Sequence, residues 1–77
     1  MNNEKEIINK IIDEILETKL IFDDIFYKIE NGKDYYIKLK CHGRIDSVYY
    51  DNFLQVVSYL QGIRKSVYAL ERVQNEK

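Results

Sequence analysis

Proline is absent from this chain, glycine occurs three times in 77 residues, and cysteine and histidine occur once each. The lone Cys41 cannot close an internal disulfide, and a secreted domain this small usually needs such staples, so a reducing cytoplasm is expected. Cys41 and His42 together fall short of the about four ligands of a zinc site. They are also adjacent, whereas a Cys/His nucleophilic pair is assembled from separate segments, and neighbours on a strand point to opposite faces. The acidic spacing of a calcium loop is missing, and three separated glycines build no phosphate loop. Asp23-Asp24, the nearest thing to a carboxylate pair, reads as a turn. No apolar run approaches the roughly 18 residues of a membrane span, and the start, Met1 to Glu6, is polar and partly acidic, unlike a signal peptide. These absences predict a cytoplasmic, non-membrane chain that is no enzyme and uses no metal or cofactor.

Charge of one sign is missing too. The net charge is −1, which gives no global drive toward nucleic acid. Residues 1–30 nevertheless hold eight acids against four lysines, and residues 31–77 hold eight bases against five acids. Two polar surfaces of opposite sign suit contacts between molecules.

What is present is a folding composition: 45% hydrophobic residues, seven tyrosines and three phenylalanines. One domain over 1–77 is expected, with residues 1–3 and 74–77 frayed. Ile, Lys, Asn and Tyr make up 33 of the 77 residues. A/T-rich codons produce that bias, which points to a low-GC bacterium or to a phage or other mobile element of one.

From Glu4 to about Thr18, Ile7, Ile8, Ile11, Ile12, Ile15 and Leu16 recur at helical spacing and predict an amphipathic helix. Between Ile25 and Cys41 the period changes to two, with Asn31-Gly32 dividing the two runs, the sequence signature of a β-hairpin. A three-residue loop Glu30-Asn31-Gly32 opposes Tyr27 to Tyr35 and Ile25 to Ile37 on one face. It sets Phe26 against Tyr36, Lys28 against Asp34 and Asp24 against Lys38 on the other. His42-Gly43 ends the second strand. Asp46 or Ser47 then caps a long helix from about Val48 to Val73; with Asp51 as the cap, 44–50 becomes a short third strand. The fold class is α+β: N-terminal helix, antiparallel hairpin with or without that third strand, and a long C-terminal helix, both helices on one sheet face.

Two surfaces stand out. The hairpin face away from the helices carries Phe26, Lys28, Tyr36, Lys38 and Lys40, an aromatic and basic mixture suited to a partner. Arg44 and, on the long helix, Arg64, Lys65 and Tyr68 extend this partner-binding set. The long helix also shows a heptad seam, Phe53, Val56, Leu60, Ile63, Val67 and Leu70, of which the last five predict a homodimer interface. Gly62 is the one point where this helix can break, and Ser58 to Tyr68 is faintly similar to a helix-turn-helix. The leading reading is a non-catalytic, protein-binding small regulator or inhibitor acting as a homodimer. The rival is a DNA-binding regulator using Arg44, Arg64, Lys65 and Arg72.

Overall fold

The computed structural model describes residues 3–75. Two helices and three strands follow one another as α1 (Asn3–Glu17), β1 (Asp24–Glu30), β2 (Asp34–Cys41), β3 (Arg44–Tyr50) and α2 (Phe53–Asn75). The strands form an open antiparallel meander in the order β1-β2-β3, so the fold is α+β. Asn3, Gln74 and Asn75 belong to helices rather than to frayed ends, while residues 1–2 and 76–77 lie outside the described residues.

α1 buries Ile8, Ile11, Ile12 and Ile15, and Glu4 and Glu6 in its first turn complement the helix dipole. It stops where Lys19 adopts a left-handed conformation (φ 55°) and the Thr18 hydroxyl donates to the Ile15 carbonyl at 2.9 Å. Asp23 and Asp24 then tie the chain to the sheet. The Asp23 N–H donates to the Lys40 carbonyl at 2.8 Å, the Asp23 carboxylate accepts the His42 N–H at 2.9 Å, and Asp24 accepts the Ile25 N–H at 2.9 Å. Asp23 thus lies in the bend before the sheet, as expected for a turn residue, while Asp24 opens β1.

The hairpin register differs from the expected one by two residues. Tyr27 opposes Ile37, Ile25 opposes Leu39, Ile29 opposes Tyr35 and Glu30 opposes Asp34. The reason lies in the turn. Asn31 and Gly32 both take positive φ (55° and 72°), and the Lys33 N–H donates back to the Glu30 carbonyl at 3.2 Å, leaving Lys33 as the extra residue of the loop. The expected Lys28–Asp34 and Asp24–Lys38 pairs are therefore absent. Lys28 lies opposite Tyr36 and Phe26 opposite Lys38.

His42-Gly43 makes a second turn with both residues at positive φ, and Cys41 opposes Arg44 across it. The third strand is present, so Val48, Tyr49 and Tyr50 belong to β3 and not to the long helix. The helix cap is Asn52 rather than Asp46, Ser47 or Asp51: its side chain accepts the Leu54 N–H at 2.8 Å and its carbonyl accepts the Val56 N–H at 3.2 Å.

Both helices pack on one sheet face around Ile8, Ile15, Ile37, Val56, Leu60 and Val67, all fully buried. At one end of the sheet the Tyr35 hydroxyl donates to Glu4 of α1 at 3.0 Å, and the Tyr35 ring meets Phe53 of α2 at 6.3 Å. Further along, the Arg64 guanidinium pairs with the Glu14 carboxylate. These ties set α1 and α2 side by side with their N-termini at the same end. α2 has 23 residues against 15 in α1 and continues unbroken through Gly62. Its last turns project beyond the domain by about 12 Å. The long axis is 46 Å and the radius of gyration 13.1 Å, against about 11.5 Å for a compact chain of this length.

Candidate functional site

Among the described residues no element covers the second face of the sheet. Strand parity and register place its side chains in four rows across the three strands: Glu30 and Asp34; then Lys28, Tyr36 and Tyr49; then Phe26, Lys38 and Ser47; then Asp24, Lys40 and Ile45. Phe26, Ile45 and Tyr49 are more than half exposed, at 53%, 58% and 57%. A folded chain that leaves three large apolar side chains exposed on one face offers a contact surface.

The centre of the face is pre-ordered. The Tyr36 and Tyr49 rings meet at 5.3 Å with planes tilted by 59°, and the Tyr36 hydroxyl shares a 2.9 Å hydrogen bond with the Ser47 hydroxyl. The Tyr49 phenol is pushed above its ordinary pKa, by desolvation first and then by the carboxylates of Glu30 and Asp34. Lys28 lies 3.8 Å from Glu30, an exposed pair. The face is acidic at the Glu30/Asp34 end and carries Lys38 and Lys40 along its central strand.

The structure brings together five of the nine sequence-predicted partner residues: Phe26, Lys28, Tyr36, Lys38 and Lys40. It separates the other four. Arg44 sits at the β2–β3 turn with the parity of the helix-covered face, and Arg64, Lys65 and Tyr68 belong to α2, in the other layer. Arg64 is half-buried against Glu14, which makes it a clasp between helices. Ile45, Ser47 and Tyr49, which the sequence allows either in a loop and helix start or in a short third strand, join the site through β3.

The predicted dimer seam is divided. Val56, Leu60 and Val67 are buried in the chain's own core and are unavailable to a second copy, while Ile63 is half-buried and Leu70 is 38% exposed. The helix-turn-helix reading is also overturned, because α2 is one helix with no turn at Gly62. Arg64, Lys65 and Arg72 line one open groove along α2, with Glu14 among them, while Arg44 lies apart at the β2–β3 turn.

Cys41 is half-buried at the end of β2 and His42 is exposed in the left-handed turn. Among the described residues no group of three or more His, Cys, Asp or Glu side chains is placed to hold a metal ion, and no helix is long and apolar enough to cross a membrane. The class defined by fold and surface is a small two-layer α+β domain, a three-stranded meander backed by two parallel helices, with one open sheet face. No protein-family model matches this chain, and neither a curated protein nor a solved structure matches it.

Proposed function

We propose that this chain is a non-catalytic binding module, a small regulator or inhibitor of the phage or mobile-element kind from a low-GC bacterium, which takes a protein partner on its open sheet face and acts as a homodimer in the cytoplasm. The observation that carries the reading is the uncovered face itself, on which Tyr36 meets Tyr49 and Phe26, Ile45 and Tyr49 are each more than half exposed. A pre-ordered aromatic centre with a charged rim is the anatomy of a protein contact, in which a few large side chains supply most of the binding energy.

The charges favour protein over nucleic acid. Lys28, Lys38 and Lys40 share the face with Asp24, Glu30 and Asp34, so its formal charge is balanced and phosphates gain little. The test is capture from a low-GC bacterial lysate by the parent and by a Phe26→Ser/Tyr49→Ser variant. Both sites are solvent-facing, so folding should change by no more than about 1 kcal/mol per site. A protein retained by the parent in moderate salt and lost by the folded variant is the expected result. Equal capture by both, or steeply salt-dependent duplex binding in its place, overturns the reading.

A further inference from the structure

The sheet is open, so among the described residues β1 and β3 each have a neighbouring strand on one side only. An edge strand offers unpaired N–H and C=O groups to another chain, and folded proteins blunt such edges with lysine, proline, bulges or charges. β1 is blunted by Asp24, Lys28 and Glu30. β3 is not. It contains neither lysine nor proline, pairs one-to-one with β2 along its whole length, and exposes Arg44, Ile45, Asp46 and Ser47 in succession. We infer that β3 pairs antiparallel with β3 of a second copy of this chain, across a two-fold axis at Ser47, and joins the two sheets into one. The inference rests on the homodimer part of the proposed function and moves the interface from α2 to the sheet edge.

The backbone fixes which residues can take part. His42 and Gly43, both at positive φ, form a two-residue turn, which makes Cys41 and Arg44 a hydrogen-bonded pair. Bonding alternates along an antiparallel pair. Arg44, Asp46, Val48 and Tyr50 therefore direct their N–H and C=O groups to β2, and Ile45, Ser47 and Tyr49 turn theirs to the open edge. A two-fold axis at Ser47 sets Ser47 opposite Ser47 and Ile45 opposite Tyr49, with two hydrogen bonds exchanged at each pair. Every outward group of the strand is then matched. An axis at Asp46 would oppose two aspartates, and one at Val48 would set Ile45 against Asp51, beyond the strand.

The side chains agree with this register. Ile45 and Tyr49 are each more than half exposed in one chain, and the axis makes each the cross-strand neighbour of the other. On the helix side Arg44 comes opposite Tyr50, whose ring meets Tyr59 at 5.5 Å and lines an open groove of about 470 Å³ with Leu54 and Ser58. The guanidinium thus gains an aromatic surface to lie on. The same operation on β1, about Tyr27, opposes Asp24 to Glu30, a repulsive pair. Seven residues of strand span about 24 Å, a short contact of the reversible kind, so the dimer should dissociate in the micromolar range. The open faces of the two copies become contiguous, which enlarges the surface offered to the protein partner.

Sedimentation equilibrium of the parent, Ser47→Pro and Ser47→Lys from about 1 to about 200 µM tests this, together with amide hydrogen exchange. The parent is expected to approach twice the chain mass at the upper end. Ser47→Pro removes the outward N–H at the axis and no bond to β2, and Ser47→Lys sets two ammonium groups opposite each other. Each should raise the dimer dissociation constant by at least about tenfold and keep the parent's circular dichroism spectrum. In the dimeric parent the amides of Ile45, Ser47 and Tyr49 should be protected, and in Ser47→Lys they should exchange freely; this readout holds should Ser47→Pro disturb folding. A dimeric parent in which those amides exchange freely, or whose folded variants associate as tightly as it does, overturns the edge pairing and leaves the homodimer reading standing. A parent that stays a monomer throughout overturns both.

Discussion

Tyr35 ties three elements of the fold together. Its ring is buried near the start of β2 against Phe53 of α2, and its hydroxyl reaches Glu4 of α1. Burial pushes its phenol above the ordinary value, and the hydrogen bond to the Glu4 carboxylate and that carboxylate's charge push it further. Burial is also the leading cause of the raised values at Tyr27 and Tyr59. The sign follows directly: the folded state holds the neutral phenol, and the unfolded chain releases its proton first, near 10. The associated stability is complete below that pH and is lost as pH rises through the higher folded values. The melting temperature should therefore hold steady from neutral pH to about 9 and fall beyond 10. Tyr35→Phe should start lower, for want of the Glu4 bond, but decline less steeply. An alkaline limb identical in slope to the parent's would show that Tyr35 titrates freely in the folded protein.

At the scale of elements, both turns of the meander are built on left-handed pairs, Asn31-Gly32 and His42-Gly43. Gly32→Val puts a β-branched residue at φ 72° and should destabilise by more than about 1 kcal/mol, read as a lowered urea midpoint. An unchanged midpoint would mean that the turn relaxes to another form. These turns also mark where the sequence is legible. Alternation assigns Ile25, Tyr27, Tyr35, Ile37 and Leu39 to the buried face, and it assigns Phe26, Lys28, Tyr36, Lys38 and Lys40 to the open one without error. It is blind to a shift of two residues, which preserves both faces, and so the register escaped it. The Lys28–Asp34 and Asp24–Lys38 pairs were complementary by coincidence. β3 was harder, because Ile45, Val48, Tyr49 and Tyr50 fall on both faces while Arg44 and Asp46 occupy helix-side positions. No clean alternation distinguishes that pattern from the start of a helix. Hence the sequence alone shows only part of the candidate site, and Ile45 and Tyr49 require the third strand to be known.

For the whole molecule, the helix expected from about Val48 to Val73 is too long for a compact chain of this size, and the observed α2, Phe53–Asn75, elongates the molecule accordingly. Which residues of the α2 seam would be covered was not readable, because coverage depends on where α1 lies. The order of elements has a consequence in time. Each strand pairs only with its sequence neighbour, so the meander closes through short loops. The clasp of α1 on α2, by contrast, joins residues such as Glu14 and Arg64 that are 50 apart. Closing the longer loop sacrifices more chain entropy, which sets the helix pair late on the path to the native state. Ile15→Val, which trims a buried methyl from α1 and should remove about 1 kcal/mol, is then expected to speed unfolding and leave the folding rate nearly unchanged. Stopped-flow measurement at low protein concentration decides the order. A folding rate reduced by the full loss of stability would mean that the terminal helices meet before the sheet between them is made.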